Sequence, residues 1–483
     1  MNRKSVFSGL IWRFLERCGA QGVAFVVSVI LARVLGPDIY GTVALVTVFT
    51  TILQVFVDSG MGNALIQKKD ADDLDFSTVF YFNLAVCFIL YALLFLCAPW
   101  IAKYYELPEL TAIVRVMGLI LIISGVRNVQ QAYVSRHMLF KRFFFATLGS
   151  TIFAAVVGVV MAYCGFGIWA LVAQNLLNLA ISTAILWVTV KWRPKLCFSG
   201  KRLGSLFSFG WKLLVSSLLN TVYNEIRSLI IGKRYSSADL AFYNKGKQFP
   251  NLIVNNINTS IDSVLLPTLS ANQDDRDRVR SMTRRAIKMS TFLMMPLMVG
   301  LAVCAEPLIR LLLTEKWLPS VFYMRIFCFT LAFHPIHTAN LKAVVAMGRS
   351  DLNLILEIIK KVIGLSAVLI TMWISVEAMA YSLLVISVLS QIINAWPNRK
   401  LLGYSYLDQL KDMLPQIALS CFMGAVVFCV TFLRLSDILT LLIQIPLGAV
   451  VYIAGSKLFG IDSFTYLLDV LKSFRRKESA KQK

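Results

Sequence analysis

Charged residues are scarce in this sequence: Asp, Glu, Lys and Arg make up 15% of its 483 residues. A soluble domain of ordinary composition is about a quarter charged, whereas 58% of this chain is hydrophobic and its mean hydropathy is +0.71. Apolar stretches use up nearly the whole chain. The composition therefore excludes a sizeable soluble domain and predicts a membrane protein.

Several chemical signatures are missing as well. The nine cysteines are scattered singly, without a C-x-x-C or paired spacing, so we expect neither disulfides nor a zinc site. The sequence contains no phosphate-binding loop, which argues against ATP hydrolysis. His334 and His337 flank Pro335, but no third ligand is near. We therefore expect no metal site, no cofactor and no catalytic residues.

An acidic cluster follows the second apolar stretch. It resembles the sites that hold a metal-diphosphate in glycosyltransferases, yet Lys68 and Lys69 lie beside it and no nucleotide-binding domain surrounds it. We therefore expect a solvated loop here. The cluster consists of Asp70, Asp72, Asp73 and Asp75.

About fourteen apolar stretches are long enough for transmembrane helices. We predict an all-α polytopic membrane protein, in which two six-helix bundles are followed by two further helices. The predicted spans are residues 10–33, 40–64, 78–99, 112–134, 144–164, 167–190, 209–232, 240–269, 288–313, 321–346, 352–374, 376–396, 411–433 and 437–458.

Lys and Arg are unevenly divided between the predicted loops. An even number of spans puts both termini on one side, and if that side is cytoplasmic, most of the loop bases lie inside. The net charge of +22 therefore indicates membrane orientation rather than a nucleic-acid partner. The bases left outside are Arg33, Lys103, Lys233, Arg234, Lys316 and Arg434.

The sequence contains an internal repeat. Leu31–Gly41 lies one span beyond Trp12-Arg13, and Ile231–Ala241 lies one span beyond Trp211-Lys212. An even number of spans per repeat predicts two parallel bundles related by an axis along the membrane normal, with a cavity between them. The alternative is chance similarity of two turns. The predicted layout is an N-terminal lobe at 1–191, a cytoplasmic linker at 192–208, a C-terminal lobe at 209–397, two accessory helices at 398–458 and a basic cytoplasmic tail at 459–483.

Leu31–Gly41 and Asp58–Gln67 together resemble a family signature, A-R-x-L-G-P-x-x-Y-G followed by D-x-G and A-L-I-Q. This is the signature of Wzx-type polysaccharide flippases, in the subfamily of colanic and teichuronic acid exporters. They belong to the multidrug/oligosaccharidyl-lipid/polysaccharide exporter superfamily. The resemblance implies two rocking lobes, a polyprenyl-diphosphate-linked oligosaccharide as cargo and a cation gradient of H⁺ or Na⁺.

A diphosphate cargo requires cations inside the membrane, and Arg or Lys supplies them. Arg13 and Arg17 are four residues apart and share a helix face. The alternative is that such bases extend to the membrane interface or pair structurally. The candidate diphosphate ligands are Arg13, Arg17, Lys212, Arg227 and Lys342.

Sugars require amide side chains, and these concentrate on three predicted spans. Asn251, Asn255, Asn258 and Asp262 follow helical spacing and form one polar stripe, which would be costly against lipid. The alternative is hydrogen bonding between helices. The candidate sugar ligands are Gln174, Asn178, Asn224, Asn251, Asn255 and Asn258.

Coupling to a cation requires acidic groups inside the membrane. Glu16 with Arg17, and Glu225 with Arg227 or Lys212, are candidate charge pairs that rearrange during transport. Static salt bridges are the alternative. The candidate coupling residues are Glu16, Asp58, Glu225 and Asp262.

The predicted function is transfer of lipid-linked repeat units across the bacterial plasma membrane by alternating access through a basic cavity. The last two spans are nearly uncharged and are expected to form a groove for the polyprenyl tail or to face lipid. Partners expected are membrane lipids, a polysaccharide polymerase and glycosyltransferases, but no nucleic acid. Three alternatives remain: a multidrug/cation antiporter, a peptidoglycan-precursor flippase and a membrane polysaccharide polymerase. The scarcity of acidic groups and the absence of large outer loops disfavour the first and the last.

Overall fold

The computed structural model of this chain describes residues 3–58, 61–68, 70–469 and 472. Within these ranges, the side chains of 3–18, Asn63, Gln67, Phe209, Ser260, Asp262 and Ser263 are not described. The described residues form helices joined by short turns, and no strand occurs among them.

The chain divides into two compact units, Met1–Ala241 and Phe242–Lys483, with the boundary inside α9. The helices before this boundary are α1 (Arg3–Val34), α2 (Pro37–Asp58), α3 (Met61–Gln67), α4 (Asp73–Tyr105), α5 (Leu110–Arg136), α6 (Phe140–Tyr163), α7 (Ile168–Thr189) and α8 (Gly200–Arg234). The others are α9 (Ser237–Ser270), α10 (Arg276–Val303), α11 (Ala305–Leu313), α12 (Ser320–Ala332), α13 (His334–Ala346), α14 (Ser350–Thr371), α15 (Val376–Leu402), α16 (Tyr406–Cys429) and α17 (Asp437–Leu458).

Nine helices in the described part of the chain are long and apolar enough to cross a membrane, namely α2, α4, α5, α6, α7, α10, α15, α16 and α17. The protein is therefore a multi-pass, all-α membrane protein, as its composition predicts. The remaining predicted spans coincide with α1, α8, α9, α12 with α13, and α14, which are more polar or interrupted. The total of fourteen spans stays a prediction.

Helix ends differ from the predicted spans where charge or a break intervenes. α8 begins at Gly200, inside the segment 192–208 that was predicted as a linker, and the Ser199 side chain caps it. α10 begins at Arg276, where the Asp275 side chain accepts a hydrogen bond from the backbone N–H of Arg278. The predicted spans 40–64, 288–313 and 321–346 each consist of two helices. Hydropathy misses the starts of α8 and α10 because their charged first turns are helical without being apolar.

The helical pattern of the first unit recurs along the chain. α1 ends at Val34 and α2 begins at Pro37, while α8 ends at Arg234 and α9 begins at Ser237. Later in each unit, a residue with positive φ precedes a helix: Met138 (φ 55°) before α6 and Gly348 (φ 77°) before α14. The repeat therefore extends well beyond the two turns that suggested it.

Each unit has its own packed interior. In the first, α4 packs against α5, α6 against α7 and α1 against α6. In the second, α10 is central and contacts α12, α13 and α16, while α17 packs on α16. Gly246 on α9 allows α9 to approach α12 closely, because an added Cβ would lie 2.8 Å from the backbone nitrogen of Met324 and 2.9 Å from the carbonyl oxygen of Ser320.

We expect Gly246→Ala to destabilise the second unit by about 1–3 kcal/mol, because the atoms that oppose the new methyl group are two α12 backbone atoms and the Cβ atom of Tyr323, none of which can rotate away. Thermal unfolding of the detergent-solubilised protein measures this. Gly300→Ala is the matched control, since its Cβ would meet only the flexible Met423 side chain at 3.9 Å. Equal melting temperatures for the two variants would contradict the assignment.

Candidate functional site

α8 is a polar helix that the protein leaves largely uncovered. No described residue from Trp211 to Ile226 is buried. Lys212 and Asn224 are exposed and Glu225 is half-buried. The polar side chains on this stretch would be costly to expose to lipid, although Leu213 and Leu219 are exposed there as well. The exposed part of α8 is therefore a candidate water-filled or cargo-binding surface.

Arg227 lies on the same helix in a different environment. Its side chain is only 5% exposed, and the Nε and Nη2 atoms have no hydrogen-bond partner among the described residues. The guanidinium carbon lies 5.9 Å from the ring centroid of Tyr223. A buried guanidinium with unsatisfied donors is costly unless something outside the protein supplies an acceptor. The arrangement suits an anion.

The expected charge pairs on α8 are not formed. No ion pair in the described part of the chain joins Glu225 to Arg227 or to Lys212. Residues two apart on a helix point in different directions, which explains why Glu225 does not reach Arg227. Whether Glu225 is a coupling residue stays a prediction.

Asp58, at the end of α2, contacts α5. Its Oδ1 accepts a hydrogen bond of 3.0 Å from Nδ2 of Asn128. The same Asn128 nitrogen and Nδ2 of Asn83 both donate to the carbonyl oxygen of Val57, at 3.1 and 3.2 Å. Two amides thus satisfy the carbonyl group that the end of α2 leaves without a helical partner.

The amides of α7 are divided between packing and partial exposure. Asn178 Oδ1 accepts a hydrogen bond of 2.8 Å from Ser150 Oγ on α6, which is the interhelical contact weighed as the alternative. Gln174 is half-buried and packs against Gly158 of the same neighbouring helix. Both residues therefore hold α6 and α7 together, and a sugar contact stays a prediction for them.

The amide stripe of α9 is partly exposed. Asn255 is exposed and Asn251 is half-buried. Asn258 Oδ1 accepts a hydrogen bond of 2.8 Å from Thr338 Oγ1 on α13, so this member of the stripe joins two helices. Lys342, also on α13, is half-buried and has a polar or electrostatic partner.

Four predicted site residues lie outside the described side chains. They are Arg13, Glu16, Arg17 and Asp262. α1 and α9 carry them, but the contacts of these side chains are not part of the description. Their proposed roles stay predictions.

The acidic cluster is partly the solvated loop that was predicted, because Asp70, Asp72 and Asp73 are exposed whereas Asp75 is not. Asp75 is completely buried, and its Oδ2 lies 2.6 Å from Lys68 Nζ and 3.3 Å from Arg202 Nη1. Asp72 caps α4. The hydrogen bond from the backbone N–H of Asp75 is the main cause that holds the pKa of Asp72 below its usual range, and the hydrogen bond from Arg202 is the second. The loop therefore ties the start of α4 to α8.

A third carboxylate of this cluster binds the segment between α7 and α8. Asp73 Oδ2 lies 2.7 Å from Lys195 Nζ. The acidic spacing and the scattered bases at 191–202 were both visible in the sequence, but only the fold brings them together. Their pairing leaves no free acidic site of the metal-diphosphate kind at these three carboxylates.

Buried polar networks in the second unit escaped the sequence analysis. Asn340, Asn398 and Gln409 are almost fully buried and hydrogen-bond to one another at 2.7–2.9 Å, linking α13, α15 and α16. His337 belongs to the same region, and its Nδ1 lies 3.1 Å from Asn394 Nδ2. Isolated amides in apolar spans were the available signal, because such groups require partners.

An apolar cavity of about 430 Å³ lies between α10, α16 and α17. Its wall includes Pro296, Leu301, Met423, Ile445 and Tyr452. None of the described side chains that line it is charged. The cavity occupies the region in which the sequence predicted a groove for a lipid tail.

We expect Asn255→Ala to affect cargo binding and Asn258→Ala to affect the packing of α9 against α13. Asn258→Ala removes the acceptor of Thr338 and should lower stability by about 0.6–2 kcal/mol. Asn255→Ala removes an exposed amide and should leave stability unchanged while it weakens transport. Thermal unfolding and an export assay, applied to both variants, measure the two effects. Full export by Asn255→Ala would remove Asn255 from the binding surface.

Comparison with known proteins gives a family and a fold. A family model described as "Polysaccharide biosynthesis protein" matches residues 30–322. The "Succinoglycan biosynthesis transport protein ExoT" of Rhizobium meliloti (strain 1021) is 26% identical over 317 residues, 66% of this chain and 64% of that protein, which is less than two thirds of its length.

Two further relatives match over most of both chains. The "Teichuronic acid biosynthesis protein TuaB" of Bacillus subtilis (strain 168) is 25% identical over 416 residues, 84% of this chain and 85% of that protein. The "Lipopolysaccharide biosynthesis protein WzxC" of Escherichia coli (strain K12) is 19% identical over 374 residues, 76% of this chain and 75% of that protein.

Solved structures resemble most of the chain in fold. "Lipid II flippase MurJ, inward closed conformation" aligns with a TM-score of 0.74 at 15% identity, over 94% of this chain and 99% of that one. An "inward-facing conformation of a multidrug resistance MATE family transporter of the MOP superfamily" aligns with a TM-score of 0.63 at 16% identity, over 79% of this chain and 94% of that one. At such identities the likeness shows the fold alone, and it confirms the predicted fold class.

Proposed function

Because the chain belongs to the polysaccharide biosynthesis protein family, whose model matches residues 30–322, we propose that it flips polyprenyl-diphosphate-linked oligosaccharide repeat units. The cargo moves from the cytoplasmic to the outer leaflet for export of a surface polysaccharide. The family match and the named relatives confirm the resemblance to polysaccharide flippases seen in Leu31–Gly41 and Asp58–Gln67. The nature of the cargo and the route through the protein are the proposal.

The single observation that carries the proposal is the environment of Arg227. Its guanidinium is 5% exposed, and two of its nitrogen atoms lack a partner. A diphosphate offers several charge-bearing oxygens to such a group, and Arg binds phosphate oxygens in a fork geometry. Lys212 lies fifteen residues earlier on α8, about 22 Å along the helix axis, so it is proposed to meet the cargo at a different point on its path. Arg227 is thus the proposed diphosphate ligand.

The other parts of the cargo match other surfaces. The exposed Asn224 on α8 and Asn255 on α9 are proposed to contact the sugars. The apolar cavity between α10, α16 and α17 is proposed to receive part of the polyprenyl tail, because its wall is almost wholly hydrocarbon. Each chemical part of the cargo then meets a surface of matching polarity.

The membrane potential supplies a driving force in this scheme. Moving negative charge out of a cell with a negative interior is downhill by about 2.3 kcal/mol per charge per 100 mV. The protein is therefore proposed to be a transporter that performs no covalent chemistry. H⁺ or Na⁺ is proposed to reset the carrier, with Asp58 and Glu225 as the described coupling candidates.

The cellular setting follows from the same proposal. We place the chain in the bacterial plasma membrane with both termini cytoplasmic, because most loop Lys and Arg residues then lie inside. The enzymes that assemble the repeat unit and the polymerase that uses it are the proposed functional partners. Glycosyltransferases supply the cargo at the inner face, and the polymerase takes it at the outer face.

We expect Arg227→Gln to abolish or strongly reduce export while leaving the protein as stable as the wild type or more so. The physical reason is that removing a buried charge without a partner relieves a desolvation cost, whereas the cargo loses its cation. Accumulation of lipid-linked repeat units in a strain that carries only the variant measures export. Thermal unfolding of the purified variant measures stability.

Arg115→Gln is the matched control in the same unit. Arg115 already donates to the carbonyl oxygen of Phe95 at 3.4 Å, and its guanidinium carbon lies 4.2 Å above the Phe95 ring. The Arg115→Gln variant should leave export unchanged. Normal export by Arg227→Gln would reject the diphosphate assignment, and normal surface polysaccharide in a deletion strain would reject the function itself.

A further inference from the structure

A second cavity of about 430 Å³ lies in the second unit and has a wall of opposite character. It is bounded by the first half of α10 and by the helix at residues 462–469. Its polar wall consists of Ser281, Arg284, Arg285, Lys288, Asp462, Ser463 and Tyr466, so it includes one carboxylate. We call this cavity the α10 basic pocket. Neither the polar surface of α8 nor the apolar cavity shares its lining residues.

The charges of the α10 basic pocket do not cancel. Arg284 forms a two-point ion pair with Asp412, with both nitrogen–oxygen distances at 2.6 Å. Lys288 Nζ lies 2.6 Å from Asp462 Oδ2. Arg285 has no ion pair with any described residue. One positive charge therefore remains on the wall of the pocket.

Arg285 is held in place even though it lacks a carboxylate. Its guanidinium carbon lies 5.0 Å from the ring centroid of Tyr466, which is a cation–π distance. Ser463 contributes a hydroxyl group to the same wall, whereas the Ser281 hydroxyl donates to the carbonyl oxygen of Arg278 at 2.9 Å. An arginine, a lysine and hydroxyl groups converging on a cavity form a suitable set of donors for phosphate oxygens.

The corresponding position in the first unit shows that the fold does not require a basic pocket here. α4 and α10 each begin with an aspartate cap, at Asp72 and Asp275. At the start of α4, three nearby carboxylates each form an ion pair with a base. These pairs are Asp72 with Arg202, Asp73 with Lys195 and Asp75 with Lys68. The excess of cations at α10 is therefore a property of this sequence.

The α10 basic pocket lies where α10 changes from charged to apolar. Every charged residue of α10 falls within Arg276–Lys288, and none occurs from Met289 to Val303. The adjoining helix buries Ser463, half-buries Phe464 and Leu467, and exposes Tyr466. A transition of this kind places the pocket at the depth of lipid headgroups.

We propose that the α10 basic pocket binds a phosphate group, with Arg285 as its main ligand and an anionic membrane lipid as its source. Basic pockets between membrane helices are suited to anionic headgroups. The proposal does not rest on the polysaccharide cargo, because the pocket would bind this phosphate whether or not the protein flips a lipid-linked sugar.

The test measures lipid binding to the purified full-length protein by native mass spectrometry. The probes are phosphatidylglycerol, zwitterionic phosphatidylcholine and inorganic phosphate. We expect the wild type to prefer phosphatidylglycerol to phosphatidylcholine, and Arg285→Gln to weaken phosphatidylglycerol binding about tenfold, as expected for one lost charge-assisted hydrogen-bonding group. Phosphatidylcholine binding should not change.

Arg278→Gln is the matched control, because it removes the same charge from the same helix outside the pocket. It should bind phosphatidylglycerol as the wild type does. If inorganic phosphate binds in an Arg285-dependent way and the lipid shows no preference, the site binds phosphate from a soluble source, and the lipid source is rejected. The proposal is overturned if Arg285→Gln binds phosphatidylglycerol and inorganic phosphate like the wild type. It is also overturned if Arg278→Gln loses as much phosphatidylglycerol affinity as Arg285→Gln.

Discussion

The cost of an unpaired charge in hydrocarbon determines how this chain can be built. Nine helices avoid that cost by carrying few charges in their central turns. The polar helices α8 and α9 cannot do so, and their amides and charges are left exposed or bonded to a neighbouring helix. Because lipid does not tolerate such surfaces, an aqueous or polar environment follows from the sequence of these two helices.

Because an unpaired buried charge is costly, a buried charged group that lacks a partner is informative. Buried carboxylates in both units have close partners: Asp75 binds Lys68, and Asp412 binds Arg284 and the Tyr404 hydroxyl group. Arg227 stands out against this background, because its burial is as deep as theirs while two of its nitrogen atoms have no acceptor. Because the buried carboxylates Asp75 and Asp412 are paired so closely, the unpaired nitrogen atoms of Arg227 make this residue the candidate for an external ligand.

Sequence alone predicts the helices well and their partners poorly. Hydropathy placed α17 at residues 437–458, where the structure has it, because the apolar run that crosses the membrane begins and ends with the helix. It could not place Arg284 against Asp412 or Lys195 against Asp73, because these pairs join residues more than a hundred positions apart. Hydropathy gives no information about the direction in which each helix faces, and only the packing of neighbours settles that.

The repeat places Asn258 in the second unit at the position that Asp58 occupies in the first, so the two hydrogen bonds can be compared. Asp58 accepts a hydrogen bond from Asn128, and 200 positions later Asn258 accepts one from Thr338. Both contacts join the second helix of a repeat to the later helix at the equivalent position. In the second unit an uncharged amide meets this packing requirement. Packing of this helix pair therefore does not require the charge of Asp58.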